Sequence, residues 1–561
     1  MSVDALRIFA GPSAIPPANQ AGFGNTANRR MCILTYIDHA FRDQVLHDVY
    51  NDRSRRVAPS YGFDVVVVLH HAWRAWWLEL GQHLAILVVL AVALVHWPVD
   101  TVIAVSVLTI WYLILGLRNW GGGFAAYYAE RSAGFDIRQI RARGKLLGYG
   151  LLSAFLVLLA AMVTAFGASA RTGKLGETWP ERAGLAGAGV VLAVLVIIVA
   201  AAAAFRLAWS RQLRTADPQR GRRSGKRMRV IDDQQHHPVT VHSGFKPFIG
   251  SGTVVKNWSF AQRLIHGKLI SPEADEEYDE PPFTAQNLVD RLKKMISELR
   301  DDDHIETRLP GVIVADHIFV EGTRAAPLRD VLSSGPPSGN IEDVITDAIA
   351  NPGGVARHYL ACRVESWGGE VVTSVFVHVS LQGRTLYLEF STCALLPTRT
   401  KYAAGTGPGA AVKAIGKGLL SLPEELLGAR RAARAPAQLW AALRPGTDQT
   451  ARASLRIDIG STVSAREAAA ADTDAADDDD DDQSYFQFQD ILQHSKIIER
   501  RLIATVGDYL KEHGVDTSEF FERAQAILNS GVINTGSGTV NLVGSAVGDQ
   551  ASVTTEAPPP P

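Results

Sequence analysis

His378, Tyr387 and Glu389 lie in one stretch, "VVTSVFVHVSLQGRTLYLEFSTC", whose apolar and polar residues alternate on both sides of Gln382-Gly383. Folded as a hairpin turning at those two residues, it pairs Val379 with Leu386, Val377 with Leu388 and Val375 with Phe390 on an apolar face. The opposite face then pairs His378 with Tyr387, Phe376 with Glu389 and Ser374 with Ser391. A histidine, a phenol and a carboxylate on one face are the groups that proton transfer uses. Cross-strand polar pairs on a solvated face are commoner than catalytic sites. The expectation is therefore a sheet with one buried and one more polar face, with no catalytic residue assigned.

Other stretches invite chemistry less strongly. In "FKPFIGSGTVV", Gly250 and Gly252 could bring backbone N–H groups against a phosphate. A dinucleotide fingerprint needs GxGxxG opening a helix, whereas Val254 and Val255 follow here, so a structural turn is the stronger reading. "GTGPGAAVKAIGKG" fails as a P-loop, because Ala411 stands where the first Gly belongs and Gly418 replaces the Ser/Thr that reaches magnesium. In "DDQQHHPVTVH", Asp232, Asp233, His236, His237 and His242 are metal-ligand types, but their spacing matches no zinc pattern. The run from Asp472 to Asp482 lacks the glycine and spaced ligands of an EF-hand. Cys32, Cys362 and Cys393 are far apart and form no CxxC, which suggests neither a disulfide framework nor a structural zinc site and suits a reducing cytosol. No cofactor and no metal is expected.

The strongest charge cluster is "RQLRTADPQRGRRSGKRMR", residues 211–229, with Arg211, Arg214, Arg220, Arg222, Arg223, Lys226, Arg227 and Arg229 against the single acid Asp217. Single-stranded nucleic-acid sites interleave basic residues with aromatics, and none occurs here, so no nucleic acid is expected. Two readings suit the run better together: contact with an anionic lipid surface, at about 1 kcal/mol per Lys/Arg near the headgroups, and a topological signal that holds the preceding apolar segment in orientation. Chain-wide charge gives no other direction, with 56 Lys+Arg against 58 Asp+Glu.

That run follows the last of four apolar segments, at 80–97, 101–117, 146–168 and 183–205. Each approaches the roughly 20 apolar residues that cross a bilayer core. Arg118, Arg131, Arg138, Arg141, Arg143 and Lys145 lie between the second and third. Only Arg171, Lys174 and Arg182 lie between the third and fourth, and no Lys or Arg separates the first two. The positive-inside rule then puts both termini in the cytoplasm of a multi-pass protein of the inner (plasma) membrane. The first residues show no basic region followed by an apolar core, so no cleaved signal peptide is expected. Within the four cores the only ionisable residues are His83 and His96, near span ends, which disfavours an ion or proton path. Gly184, Gly187, Ala188 and Gly189 suit close helix packing.

"YIDHAFRDQVL", "RRVAPSYGFDVVVVLHHA" and "FKPFIGSGTVVKNWSFAQRLI" together resemble a group of multi-pass membrane proteins of high-GC Gram-positive bacteria (actinobacteria) over roughly residues 30 to 270. The resemblance implies the placement of the spans and carries no activity and no site residue.

The expected fold class is an integral membrane α-helical protein, with four transmembrane helices as two hairpins, plus a cytoplasmic mixed α+β domain and a C-terminal α-helical hairpin. The expected parts are an N-terminal cytoplasmic region (1–77), a first transmembrane hairpin (78–118), a basic loop (119–145) and a second hairpin (146–208). A polybasic segment (209–229), the α+β domain (230–460), an acidic linker (461–484), a helical hairpin (485–529) and a Gly/Ser/Pro-rich tail (530–561) follow. In the α+β domain, Leu288, Leu292, Met295, Ile296 and Leu299 share a helical face. In 485–529 the apolar stripe Ile491, Ile498, Leu502 and Val506, ended by Gly514, suggests self-association, because so small a segment buries its own stripe poorly. The functional expectation is an anchored scaffold, sensor or interaction module with a cytoplasmic protein partner and an anionic bilayer. An oligomeric channel or transporter, or a tethered enzyme with its site in 230–460, are the alternatives.

Overall fold

The computed structural model describes residues 26–53, 56–112, 183–215, 218, 225–242, 246–267, 277–304, 306–325, 328–332, 341–397, 432–443, 464–466 and 485–529. The third apolar segment, the basic loop, Arg220, Arg222, Arg223, the 405–418 glycines, the acidic run and the C-terminal tail lie outside these residues. The chain divides into one unit of residues 1–72, 213–402 and 445–561 and a second of 73–212 and 403–444.

The first unit is built on six strands: β1 (Val239–His242), β2 (Thr253–Arg263), β3 (Ile313–Glu321), β4 (Ala356–Ser366), β5 (Val371–Gln382) and β6 (Thr385–Leu395). Their order is β1-β3-β4-β5-β6-β2, with β1 parallel to β3 and every other pair antiparallel. The β5–β6 hairpin forms where the alternation predicts it, but turns one residue later, at Gly383-Arg384, with Gln382 paired to Thr385. Gly383 takes the left-handed φ of +58° that such a tight turn favours. The register therefore shifts by two: Val379 faces Leu388, Val377 faces Phe390, and His378 faces Glu389 rather than Tyr387. A shift of two leaves every side chain on its expected face, because strand side chains alternate with period 2.

On one face the apolar residues of β4, β5 and β6 meet four helices: Ala285–Ser297, Ile341–Ala350, Tyr485–Glu512 and Ser518–Asn529. Leu288, Leu292, Ile296 and Leu299 point into this core as their spacing requires, while Met295 is half-buried. Ile498, Leu502, Val506 and Leu510 of the long C-terminal helix pack into the same core. The C-terminal hairpin is thus present, ended by Gly514 at φ +72°, but it completes the core of the sheet domain rather than standing apart. Its apolar stripe is occupied by the sheet, so self-association through 485–529 needs a different surface.

The second face is covered as well, which corrects the expectation of a solvated side. Phe248, from the turn before β2, stacks on Phe376 at 4.6 Å and meets Phe319 and Tyr359 edge-on. Tyr61 packs on Val372 and Leu395, with the Arg363 guanidinium 4.4 Å over its ring. Two helices, Thr26–Ile37 and Lys226–Gln235, fix the start of a third, Val65–His96. The Gln235 amide accepts from the Val65 N–H at 3.0 Å and donates to Asp64, whose carboxylate also accepts from the Val66 N–H at 2.9 Å. These contacts satisfy helix donors that otherwise lack partners.

The second unit contains most of Val65–His96, a shorter apolar helix at Pro98–Tyr112, most of Ala183–Thr215, and Ala435–Leu443. Two helices, Val65–His96 and Gly187–Arg214 within Ala183–Thr215, are long and apolar enough to cross a membrane, and only 28% and 22% of their most apolar windows are buried. The segment at 101–117 is described as helix through Tyr112 only, and four spans are not established by these residues. Ile86, Ala93, Ala104, Leu108, Ala188, Val191, Leu195 and Val199 form the shared core. Gly187 does permit a close approach, by the Asp100 carboxylate, whose Cγ would lie 2.6 Å from a Cβ placed there. His83 is buried with Glu79 at 3.9 Å, and Arg206 donates to Gln82, so a polar layer lies within this unit.

Candidate functional site on the second face of the sheet

The alternation of β5 and β6 places His378 and Glu389 on the face that Phe248 covers, and β4 adds Tyr359 between them and β3. The Tyr359 hydroxyl donates to Glu389 Oε1 at 3.2 Å, and its ring lies 5.1 Å from that of His378. His378 Nδ1 is 2.7 Å from the His358 carbonyl, which can only accept, so this nitrogen carries the proton and leaves Nε2 as the basic atom. Burial lowers the His378 pKa, against the opposing pull of the His358 carbonyl and Glu389. Burial also raises the Tyr359 pKa, helped by the Glu389 charge. A neutral imidazole beside a phenol–carboxylate pair can accept a proton and relay it. Tyr387, two residues along β6, is 38% exposed, opposite Ser380, and Arg357 is exposed at the same end of the sheet.

Sequence reasoning named His378, Tyr387 and Glu389 but missed Tyr359. Its strand is separated from β6 by β5, so only the strand order brings it near Glu389. Replacing Tyr359 by Phe keeps the ring packing and removes the donor. The first unit should lose about 1 kcal/mol of stability, read by chemical unfolding of the full chain.

Deeper in the same face, His317 Nε2 lies 2.8 Å from Thr240 Oγ1, and His237 Nδ1 accepts from the Val239 N–H at 3.2 Å. Burial pushes His317 down to about 3, helped by Arg363, and pushes His237 down to about 4, helped by Arg56. Both are neutral packing residues at physiological pH. Of the metal-type residues in "DDQQHHPVTVH", His236 turns back to the Asp232 carbonyl at 2.9 Å, Asp232 accepts from Gln235, and His242 sits on β1. Among the described residues no three His, Cys, Asp or Glu side chains gather where a metal could be held.

The two glycines of "FKPFIGSGTVV" do adopt left-handed backbone, φ +90° at Gly250 and +87° at Gly252. A Cβ on Gly250 would lie 2.8 Å from the Pro59 carbonyl oxygen, and one on Gly252 would strike the backbone of Ala394. Their space is filled by the fold itself, which supports the structural-turn reading. All three cysteines are buried, and burial pushes the Cys362 thiol up to about 12.

On the opposite face, Asp316 of β3 joins Lys293 Nζ at 2.5 Å and His358 Nε2 at 3.0 Å. Burial alone would raise its pKa, but these two hydrogen bonds outweigh it and hold the carboxyl at about 2. A family model described as the AbeC-like domain matches residues 257–541, just over half of the chain. The chain belongs to the AbeC-like domain family. No curated protein and no solved structure matches it. The AbeC-like match takes in most of β2, strands β3 to β6 and the C-terminal helical hairpin, the elements that share the helix-covered core. It leaves out β1, Phe248 and the N-terminal residues that close the second face.

The basic run ends outside the AbeC-like match and is not uniform. Arg211 and Arg214 are on the last turns of Ala183–Thr215, with Arg211 exposed. Lys226 and Arg229 are exposed on Lys226–Gln235. Arg227 instead donates to the carbonyls of Val49 and Tyr50 at 3.0 Å and of Asp52 at 3.1 Å. It thereby satisfies the end of the π-helix Val45–Asn51, a role internal to the fold.

Proposed function

We propose that this chain is a multi-pass membrane protein that presents its AbeC-like domain to the cytoplasm as an anchored scaffold, sensor or interaction module. The observation that carries the reading is the apolar flank of the two long helices. Val88, Val92 and Val95 on one, and Val190, Val194 and Ile197 on the other, are exposed within the chain. Exposed apolar area costs roughly 25 cal/mol per Å² in water and nothing comparable in lipid. The lysine and arginine distribution supports four spans as two hairpins with both termini inside. In that arrangement Arg211, Arg214, Lys226 and Arg229, with Arg220, Arg222 and Arg223, meet anionic headgroups. Arg227 contributes less, because its guanidinium is already hydrogen-bonded to carbonyls.

Topology reporters test this directly. Fusions after residues 130, 230 and 561 to an enzyme active only in the cytoplasm should be active, and a fusion after 175 should be silent. Activity at 175 would remove the four-span arrangement. Recovery of the full chain in the soluble fraction would remove the membrane reading altogether.

A further inference from the structure

Residues 464–466 form a short described segment that is buried throughout, with Ser464 at 8% exposure and Ala465 and Arg466 at 1%. The Arg466 guanidinium donates to four backbone carbonyls drawn from three distant segments. Nη1 reaches the oxygens of Tyr61, at 3.1 Å, and Gly369, while Nη2 reaches those of Glu370 and Leu396, the last at 3.3 Å. Burial lowers the Arg466 pKa to about 10, against the opposing pull of Glu370 and Glu365, so the group stays charged at neutral pH.

The surroundings are shaped for this cation. Trp367, Gly368 and Gly369 all take left-handed φ, of +54°, +64° and +82°. That conformation is uncommon for Trp and turns the Gly369 and Glu370 carbonyls to one side. Gly62, at φ +74°, meets Gly369 so closely that a Cβ on Gly369 would lie 3.1 Å from the Gly62 Cα. Two carboxylates hold the rim: Glu365 accepts from the Gly62 N–H at 3.3 Å, and Glu370 pairs with Arg30 Nε at 2.6 Å. The planar fork of a guanidinium fits a ring of carbonyls that a lysine ammonium fills poorly.

We propose that these carbonyls form a guanidinium-binding socket whose ligand is the chain's own Arg466, and that seating it locks the N-terminal segment at Tyr61-Gly62 onto the β4–β5 turn. The latch joins positions 405 and 97 residues apart in sequence. Withdrawal of the arginine opens that end of the second face.

Hydrogen exchange on the full-length protein in detergent tests the latch. Arg466→Ala should speed exchange about tenfold or more in peptides covering 59–63 and 367–371, while β3 stays unchanged. Methylguanidinium should restore protection to that variant and methylammonium should not. Arg466→Lys should behave like the alanine variant. Unchanged exchange in Arg466→Ala, full protection in Arg466→Lys, or failure of methylguanidinium to rescue would each overturn the proposal. If Arg466→Ala does not accumulate as folded protein, the unaltered chain decides: the 464–466 peptide must be protected and open together with 367–371. An unprotected 464–466 peptide overturns it.

Discussion

At pH 5 the sheet-bearing unit should be less stable than at pH 7 by on the order of 4 kcal/mol, chiefly through His237 and His317. Both are pushed below the ordinary 6.5, to about 4 and about 3, because burial penalises their charged forms. Between pH 6.5 and those values the unfolded chain binds protons that the folded chain does not. Stability is therefore complete above pH 6.5 and is lost as the pH falls toward the folded values. The surroundings reinforce the direction: the charge of Arg56 disfavours protonation of His237, and that of Arg363, with smaller effects of His237 and His358, disfavours it at His317. Domains commonly hold about 5–15 kcal/mol, so a loss of this size is a large share of the total. Urea unfolding at pH 7, 6 and 5, followed by circular dichroism, measures it. Replacing His317 by Gln, which keeps a polar group near Thr240, should flatten the pH slope by about half. A flat profile in the unaltered chain would mean that these imidazoles are not shielded from protons in the folded state.

Glu499→Ala should cost about 3–5 kcal/mol, the usual penalty for removing one partner of a buried ion pair. Glu499 is fully buried on the long C-terminal helix. Lys256 Nζ lies 2.7 and 2.8 Å from its two oxygens, and Trp258 Nε1 donates to it at 2.7 Å. Truncation leaves a largely shielded ammonium and an indole N–H without their carboxylate acceptor, on the strand edge where Trp258 stacks on Phe390 at 5.1 Å. Urea unfolding of the full chain, followed by circular dichroism, measures the loss. The double change Lys256→Met with Glu499→Leu should be milder than Glu499→Ala alone, because it removes both charges and restores apolar packing. A double variant as unstable as the single one would assign the loss to shape rather than charge.

The sequence by itself determined the two long apolar helices, the β5–β6 hairpin and the C-terminal helical pair. Each rests on a local period: a continuous apolar run, strict alternation, or a stripe at helical spacing that Gly514 ends. Such periods report which side of an element avoids water, and they are indifferent to what covers it. That is why the hairpin's faces were legible while its register was displaced by two. Only the strand order brought Tyr359 to Glu389, and only the tertiary fold covered the face that alternation left for solvent, using Phe248 and Tyr61 from outside the hairpin. The same holds for the stripe from Ile498 to Leu510, whose partner is the sheet of its own chain. It holds most strongly for Arg466, where backbone carbonyls supply every acceptor. Carbonyls are common to all residues, so no side-chain pattern encodes that socket; three segments folded together decide it.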